Sequence, residues 1–577
     1  MSNIVTQIET DVLVVGSEGT GARAAIEADN YGARTILASK GIFGGSGVTL
    51  MAPYSCCVAF GHEDPRDNPR EHEKDTIMGG QFLGNQRLIR VYTENAPQRM
   101  LDLESYGARF NKKEDGKFEQ VLMPGHRFPR AIHYKFATGK QFRKGLMNEV
   151  GRRPNIKVYE DFFVLDLLVE SGKISGALAL DLRTGELVLV KTGAVILATG
   201  GAMEMFYPRS DASCDLTGDS HAMALRAGAQ LRDLEFMQFF PTGMVHPPAL
   251  NGVIWIGQLR YKCGGLLYNR YGERFMKKYD PVNMELSTRD LVSRAMATEI
   301  IEGRGTPHGG VWLDVSYLGD NIVEAYAAEV FPNFSFRGYN LLEAGVDIRK
   351  DAIEVAPMAH FYMGGITINE FCETGIEGLY AAGEVTAGIN GANRIEGNAL
   401  SEIQVFGAIA GQVAAQYAGQ QAKSEPNREQ VEEKCAALLA PLERNEGVSY
   451  FGLRRQAQEI MWTQVGLVRD GEKLEKAAAA LTSLREQSSR ICVRNKTREC
   501  NREWMEALET QNMLLLAEAM ARSALYRKET RGAHYRRDYP EKNNDQWLVN
   551  VVATLEGEKL NINQAPVEFT YLKPEEV

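Results

Sequence analysis

The chain has 577 residues and a mass of 64.0 kDa, enough for about three or four domains at roughly 150 residues each. Hydrophobic residues make up 44% and charged residues 24%, which excludes disordered, collagenous and low-complexity classes for the bulk of the chain. A formal charge of -10 points away from nucleic acid as a partner. No apolar run reaches the roughly 18–20 residues that span a bilayer. The opening MSNIVTQIETD lacks the basic-then-apolar pattern of a secretory signal. Eight irregularly spaced cysteines, with no C-x-x-C pair, predict a reduced, cytoplasmic protein whose own residues hold neither zinc nor an iron–sulfur cluster. No metal ligands are assigned.

In chain order, DVLVVG at 11–16 is a short apolar run that predicts a buried parallel strand. It enters Gly16-Ser17-Glu18-Gly19-Thr20-Gly21 and then the helix-prone segment Ala22 to Ala28. A second apolar run covers Arg34 to Ala38. This is a βαβ unit with a glycine-rich first turn, the layout that receives a dinucleotide. The helix start offers N–H groups to a pyrophosphate. The match is imperfect: Glu18 stands where the strict motif has its second glycine, and Ser39-Lys40 follow the second strand instead of an acid.

Val195 to Gly201 reads as another buried strand ending in a glycine turn, and Gly378 to Glu384 as a third that ends in a carboxylate. The dinucleotide unit is therefore split, with an insertion roughly between 245 and 350. Helical patterns dominate from Asn427. Between Arg502 and Arg527, Trp504, Met505, Leu508, Met513, Leu516, Met520 and Ala524 recur near the helical repeat and predict a packing stripe. The tail from Trp547 to Tyr571 alternates like a strand.

With these segments in view, the chain resembles the flavoprotein subunit of succinate dehydrogenase and fumarate reductase. That superfamily also includes L-aspartate oxidase and the adenylylsulfate reductase α subunit. The resemblance runs through Thr217-Gly218-Asp219, Asp233 to Phe239, Pro241-Thr242-Gly243, Tyr271 to Met276 and Ser287-Thr288-Arg289-Asp290. It continues through His360 to Gly365, Gly391-Ala392-Asn393-Arg394, Glu529 to His534 and Asp538-Tyr539-Pro540. It implies an α/β fold: a split Rossmann-like FAD-binding domain (1–245 and 351–425), an inserted α+β capping domain (246–350), and a C-terminal helical domain with a tail (426–577). It also implies hydride transfer between flavin N5 and the carbon–carbon bond of a small carboxylate, with the flavin carrying the difficult electron chemistry.

The resemblance sets FAD against Gly16, Glu18, Gly19, Thr20, Gly21, Ser39, Lys40, Gly45, Ser46, Ala198, Thr199, Gly200, Asp219, Glu384, Asn398, Ala399 and Leu400. Members with covalent flavin have a histidine in the loop after Ser46. This chain has Gly47, so noncovalent FAD is expected, and with it the reductive direction or an oxidase. His360 and Arg394 occupy the positions that grip a substrate carboxylate. The residue types suit that role, because a guanidinium can hold a carboxylate bidentately and an imidazolium adds a charge-assisted bond.

Two stretches depart from the family. Members that handle dicarboxylates have a histidine directly before Pro-Thr-Gly; here Phe240 stands there, with Thr242 retained. Phe240 and Thr242 are expected at the far end of the substrate pocket, where phenyl suits a less polar tail than fumarate's. The proton-delivery segment reads Gly257 to Gly265 where the family has Glu-Gly-x-Arg-Gly-Glu-Gly-Gly. Without a gap Tyr261 falls in the arginine slot; with one inserted residue Arg260 does, so both stand as candidate proton donors. With no haem or cluster motif in the chain, electrons are expected from an iron–sulfur or other carrier subunit. Any membrane association would then be peripheral, through that partner. Two other readings stay open: an adenylylsulfate reductase-like or aspartate oxidase-like enzyme, and a flavin-bearing electron-transfer subunit without substrate chemistry of its own.

Overall fold

The computed structural model describes residues 6–135, 137–254, 257, 259–260, 263–319, 335–336, 339–341, 343–421 and 423–576. The strand Thr6–Val15 pairs in parallel with Thr35–Ala38 and with Glu186–Leu197. Leu379–Ala381 pairs in parallel with Glu186–Leu197. The register sets Val15 beside Ala38 and Leu197, and Leu197 beside Ala381. The inner residues of these strands are buried, as their unbroken apolar runs require. Because the four strands run parallel and stop level, Gly16, Ser39, Ala198 and Ala382 leave the sheet at one edge. In an open parallel sheet that edge is where ligands bind. Ile156–Tyr159 extends the sheet beyond Thr35–Ala38, and Lys173–Asp181 and Phe162–Glu170 complete it on the other side.

A second, antiparallel sheet runs in the order Met237–Met244, Ile353–Tyr362, Val311–Asp314, Leu266–Tyr268. It has its own apolar centre, including Met244, Leu267, Val292, Val311, Leu313 and Val355. Its two long strands lie mostly outside 246–350, so the cap is rooted in segments that also lead into the cofactor domain. Register shifts fall between Gln238 and Phe239 and between Phe240 and Gly243. Such bulges bend a strand and re-aim its side chains. The helix Arg289–Glu299 lies on this strand, with Ser293 Oγ donating to the Phe239 carbonyl at 3.2 Å.

The C-terminal part is built from the helices Arg428–Glu443, Tyr450–Ile460, Gly471–Ser488 and Arg502–Tyr526. The methionine stripe lies on the last of these, where Trp504, Met513, Leu516 and Met520 are buried. Trp504 Nε1 donates to the Leu438 carbonyl at 2.8 Å. The tail forms the hairpin Val549–Glu556 and Lys559–Pro566, which pairs with the short strand Leu231–Arg232. Just past the long helix, fully buried Arg527 bonds Glu235 at 2.5 Å and Glu529 at 3.0 Å, joining the helical domain to the root of the cap. No helix among the described residues is long and apolar enough to cross a membrane.

Candidate active site

One cavity of about 480 Å³ opens at the sheet edge and continues beneath the cap. At the sheet end, Gly16 has φ +102, and a Cβ there would lie 2.4 Å from the Ala198 carbonyl oxygen. A Cβ on Gly21 would lie 1.7 Å from the Gly16 carbonyl oxygen, so the turn closes only with glycine at both places. Glu18 is the N-cap residue of the helix Gly19–Asn30, and burial pushes its carboxyl up to about 7. Its Oε1 and the hydroxyl of Thr199 are buried and unpaired among the described residues, and both residues line the cavity. Burial pushes the Glu384 carboxyl up to about 8; the Tyr362 N–H donates to its Oε1 at 2.9 Å.

Lys40 Nζ lies 2.9 Å from Asp219 Oδ2 and 2.7 Å from Glu509 Oε1. Burial works against its charge, yet the two carboxylates hold it above the usual lysine range. Asp219 is fixed in turn by Asn512 at 2.8 Å and Thr217 at 2.7 Å. The helical domain thus braces this wall of the cavity.

Under the cap, Arg394 is buried and faces the ring of Phe361, with its Cζ 4.4 Å from the centroid. Its Nη2 donates to Gln238 Oε1 at 3.0 Å, and its Nε is unpaired among the described residues. No acid lies within ion-pair distance of it among those residues. Burial and the nearby Arg289 charge lower its pKa to about 10, which still leaves it cationic at neutral pH. His360 Nδ1 lies 2.7 Å from Asp211 Oδ2, and the imidazole packs 5.5 Å from the Phe240 ring. Arg289, the first residue of its helix, lies over Phe240 with Cζ 4.8 Å from the centroid and bonds Glu396 at 2.6 Å. Phe240, Ala249, Val253 and Ile254 form an apolar wall.

Most of the residues singled out from the sequence meet in this cavity: Gly16, Glu18, Gly19, Thr20, Ser39, Lys40, Ser46, Ala198, Thr199, Gly200, Asp219, Glu384, Ala399, Leu400, Phe240, His360 and Arg394. Gly21 and Gly45 support the turns beside it. Asn398 faces a buried network, bonding His72 at 2.9 Å and Thr76 at 3.1 Å. Thr242 is buried and is not a cavity residue; a Cβ on Gly257 would lie 2.1 Å from its hydroxyl oxygen. Arg260 is buried outside the cavity lining, and its guanidinium donates to the Glu285 carbonyl. Tyr261, with Trp255 and Lys262, lies outside the described residues. Arg289 lines the cavity as Arg394 does; it sat in a matching motif but carried no role in the sequence reading. Asp211 and Glu396 were missed too. Their partners are distant in sequence, so no local pattern marks them.

Residues 11–400 match the family described as FAD binding domain, and residues 454–577 match the fumarate reductase flavoprotein C-terminal family. The chain belongs to the fumarate reductase and succinate dehydrogenase flavoprotein family. It is 41% identical over 533 residues to one subunit of the fumarate reductase (CoM/CoB) of Methanothermobacter marburgensis, covering 92% of this chain and 95% of that one. It is 33% identical over 588 residues to the succinate dehydrogenase flavoprotein subunit of Rickettsia bellii, covering 98% and 96%. Among solved structures, Mycobacterium smegmatis Sdh1 in complex with UQ1 superposes with a TM-score of 0.91 at 34% identity, over 99% of this chain and 96% of that one. This chain is therefore an FAD-dependent oxidoreductase of that class, with the split cofactor domain, cap and helical domain expected from its sequence. The residues present fit FAD: two glycines close the turn at the end of the first strand, a helix starts at the cavity, and the buried, unpaired oxygens of Glu18 and Thr199 belong to residues of its lining.

Proposed function

We propose that this chain reduces the carbon–carbon double bond of an α,β-unsaturated carboxylate, one whose distal part is less polar than that of fumarate. Arg394 carries this reading: a buried guanidinium of the cavity lining with no acid in ion-pair reach among the described residues. A charge so placed calls for an anion. When bound, FAD supplies hydride exchange with the carbon one bond away from the carboxylate-bearing carbon. Arg394 and His360 hold the carboxylate and draw electron density towards it, which leaves the far alkene carbon electron-poor. Arg289 lines the same cavity, which supports it as the acid for the carbon beside the carboxylate. Phe240 and its aliphatic neighbours receive the tail and keep water from the reacting carbons.

The cavity wall beside the clamp, where the Phe240 ring lies 5.5 Å from that of His360, supports one carboxylate instead of two. Phe240 offers no donor, and the Thr242 hydroxyl is outside the cavity lining. Arg289 is already paired with Glu396. Electrons come from a separate carrier protein, since the cysteine pattern provides no cluster site and the relatives are named as subunits. Any membrane association is through that partner. Gly47 supports noncovalent FAD: it has φ +74, and a Cβ there would lie 2.8 Å from Glu18 Cγ, so a histidine would be strained and crowded.

The test is anaerobic turnover with reduced methyl viologen as electron source and fumarate, crotonate and cinnamate as acceptors. The expected result is a higher kcat/KM for crotonate or cinnamate than for fumarate. A much higher value for fumarate would return the chain to the family's dicarboxylate chemistry. No oxidation of viologen by any of the three would refute the reductase reading.

A further inference from the structure

We propose that Glu396 is the proton relay of this reaction, a positioning residue that acts through Arg289. The proposal rests on the reductase reading above. Arg289 Nη2 lies 2.6 Å from Glu396 Oε1, and the two side chains are 17% and 14% exposed. Both line the cavity that holds His360 and Arg394. No other carboxylate is within ion-pair distance of Arg289 among the described residues.

The two partners come from different elements, and each is fixed independently. Arg289 begins its helix and rests on the Phe240 ring. Glu396 lies in the turn between Arg394 and the helix Asn398–Gln420. Its carbonyl accepts from His126 Nε2 at 2.7 Å and from the Cys57 thiol at 3.2 Å. A carbonyl only accepts, so His126 carries its proton on Nε2 and can accept on Nδ1 from Arg130 Nη1 at 3.1 Å. The next residue, Gly397, sits at φ +87, where a Cβ would lie 2.4 Å from Cys57 Sγ. The backbone under Glu396 is thus set by buried contacts, and its carboxylate pairs with Arg289 at the cavity wall.

The chemistry needs such a group. Hydride addition to the far alkene carbon moves the π pair onto the carbon beside the carboxylate. That carbon takes a proton from Arg289: a C–H bond forms and an N–H bond breaks. The neutral guanidine left behind is a strong base and must regain its proton before the next turnover. Glu396 takes up a proton from a solvent acid, hydronium or the protonated buffer, and passes it to the guanidine across the 2.6 Å contact, so that no hydroxide is left behind. In sum, one hydride and one proton are added to the double bond. Arg260, from the segment the sequence marks for proton delivery, is bonded to the Glu285 carbonyl outside the cavity lining.

The test uses holoenzyme with reduced methyl viologen and either fumarate or crotonate, whichever the wild type turns over faster. Glu396→Gln keeps an acceptor for Arg289 but cannot pass a proton. It should lower kcat by about 100-fold or more, with KM within about threefold. The solvent deuterium isotope effect on kcat should rise, while substrate binding to the oxidised holoenzyme, read from the flavin absorbance, stays as in wild type. Formate should restore turnover to Glu396→Ala. Glu396→Asp, with its acid drawn back by one methylene, should keep turnover with a raised isotope effect. A kcat for Glu396→Gln within about threefold of wild type would overturn the relay. So would an unchanged isotope effect in Glu396→Asp, or a Glu396→Ala enzyme that formate does not revive. The underlying reading is judged separately. An active Arg289→Ala enzyme refutes Arg289 as the acid and the relay with it. An inactive one beside a fully active Glu396→Gln enzyme refutes the relay alone.

Discussion

His360 Nδ1 lies 2.7 Å from Asp211 Oδ2, and this contact decides which ring nitrogen is left for the substrate. A carboxylate only accepts, so Nδ1 carries a proton and Nε2 is free for the cavity. In the imidazolium form both nitrogens donate, one to Asp211 and one to a bound carboxylate. Asp211 is held beside the histidine strand by its own N–H, which donates to the Ala359 carbonyl at 3.3 Å. Asp211→Asn removes the charge and frees the ring to take the other tautomer. We expect kcat/KM to fall about 10–100-fold, the worth of one charge-assisted hydrogen bond. Steady-state kinetics of both enzymes check this.

Arg394→Ala should abolish turnover while FAD content stays near wild type, as follows from the proposed role of this side chain at the substrate carboxylate. Removing the partner of a desolvated carboxylate costs on the order of 3–5 kcal/mol. Activity that survives within a few-fold would show that the carboxylate binds elsewhere.

Acid or heat should release all the flavin as free FAD, since the left-handed, crowded Gly47 position holds no side chain to bond it. Absorbance of the supernatant after acid precipitation measures this directly. Flavin remaining with the pellet would contradict it.

Removing FAD should make stability fall as pH rises from about 5 to 8. The Glu384 carboxyl is raised from 4.5 to about 8 by burial in the folded chain. Between those values the folded state binds more protons than the unfolded state, so stability is greatest at the acid end and is lost as the group ionises. The slope contributed by one such group is at most about 1.4 kcal/mol per pH unit. Urea unfolding of the FAD-free protein across this range should show the decline, and Glu384→Gln should lessen it by one group's share, since burial also raises Glu18, Glu235 and Glu402 to about 7.

Phe240→His should raise kcat/KM for fumarate relative to crotonate, by about tenfold or more if the new imidazole pairs with a second carboxylate. Steady-state kinetics with the two acids decides it. An unchanged ratio would mean that Phe240 does not set the choice of tail.

Much of this fold was legible because its signals are local. The runs ending at Gly16, Gly200 and Glu384 are short apolar strands closed by glycine turns, and each can be read from a few adjacent residues. The helix Arg502–Tyr526 announced itself by the period of its buried side chains. His360 and Arg394 were found because each lies within a compact motif. The cap was less visible: Met237–Met244 finds its partner only in Ile353–Tyr362, far along the chain, so no local pattern marks where its sheet begins. The choice among arginines was likewise tertiary. Arg260 occupies the stretch that motif spacing favours, but packing turns it to the Glu285 carbonyl. Arg289 reaches the cavity because its helix lies on the bulged strand that carries Phe240. Asp211 and Glu396 became functional neighbours of His360 and Arg289 only through folding, since an ion pair depends on distance in space and leaves no period or spacing in the chain.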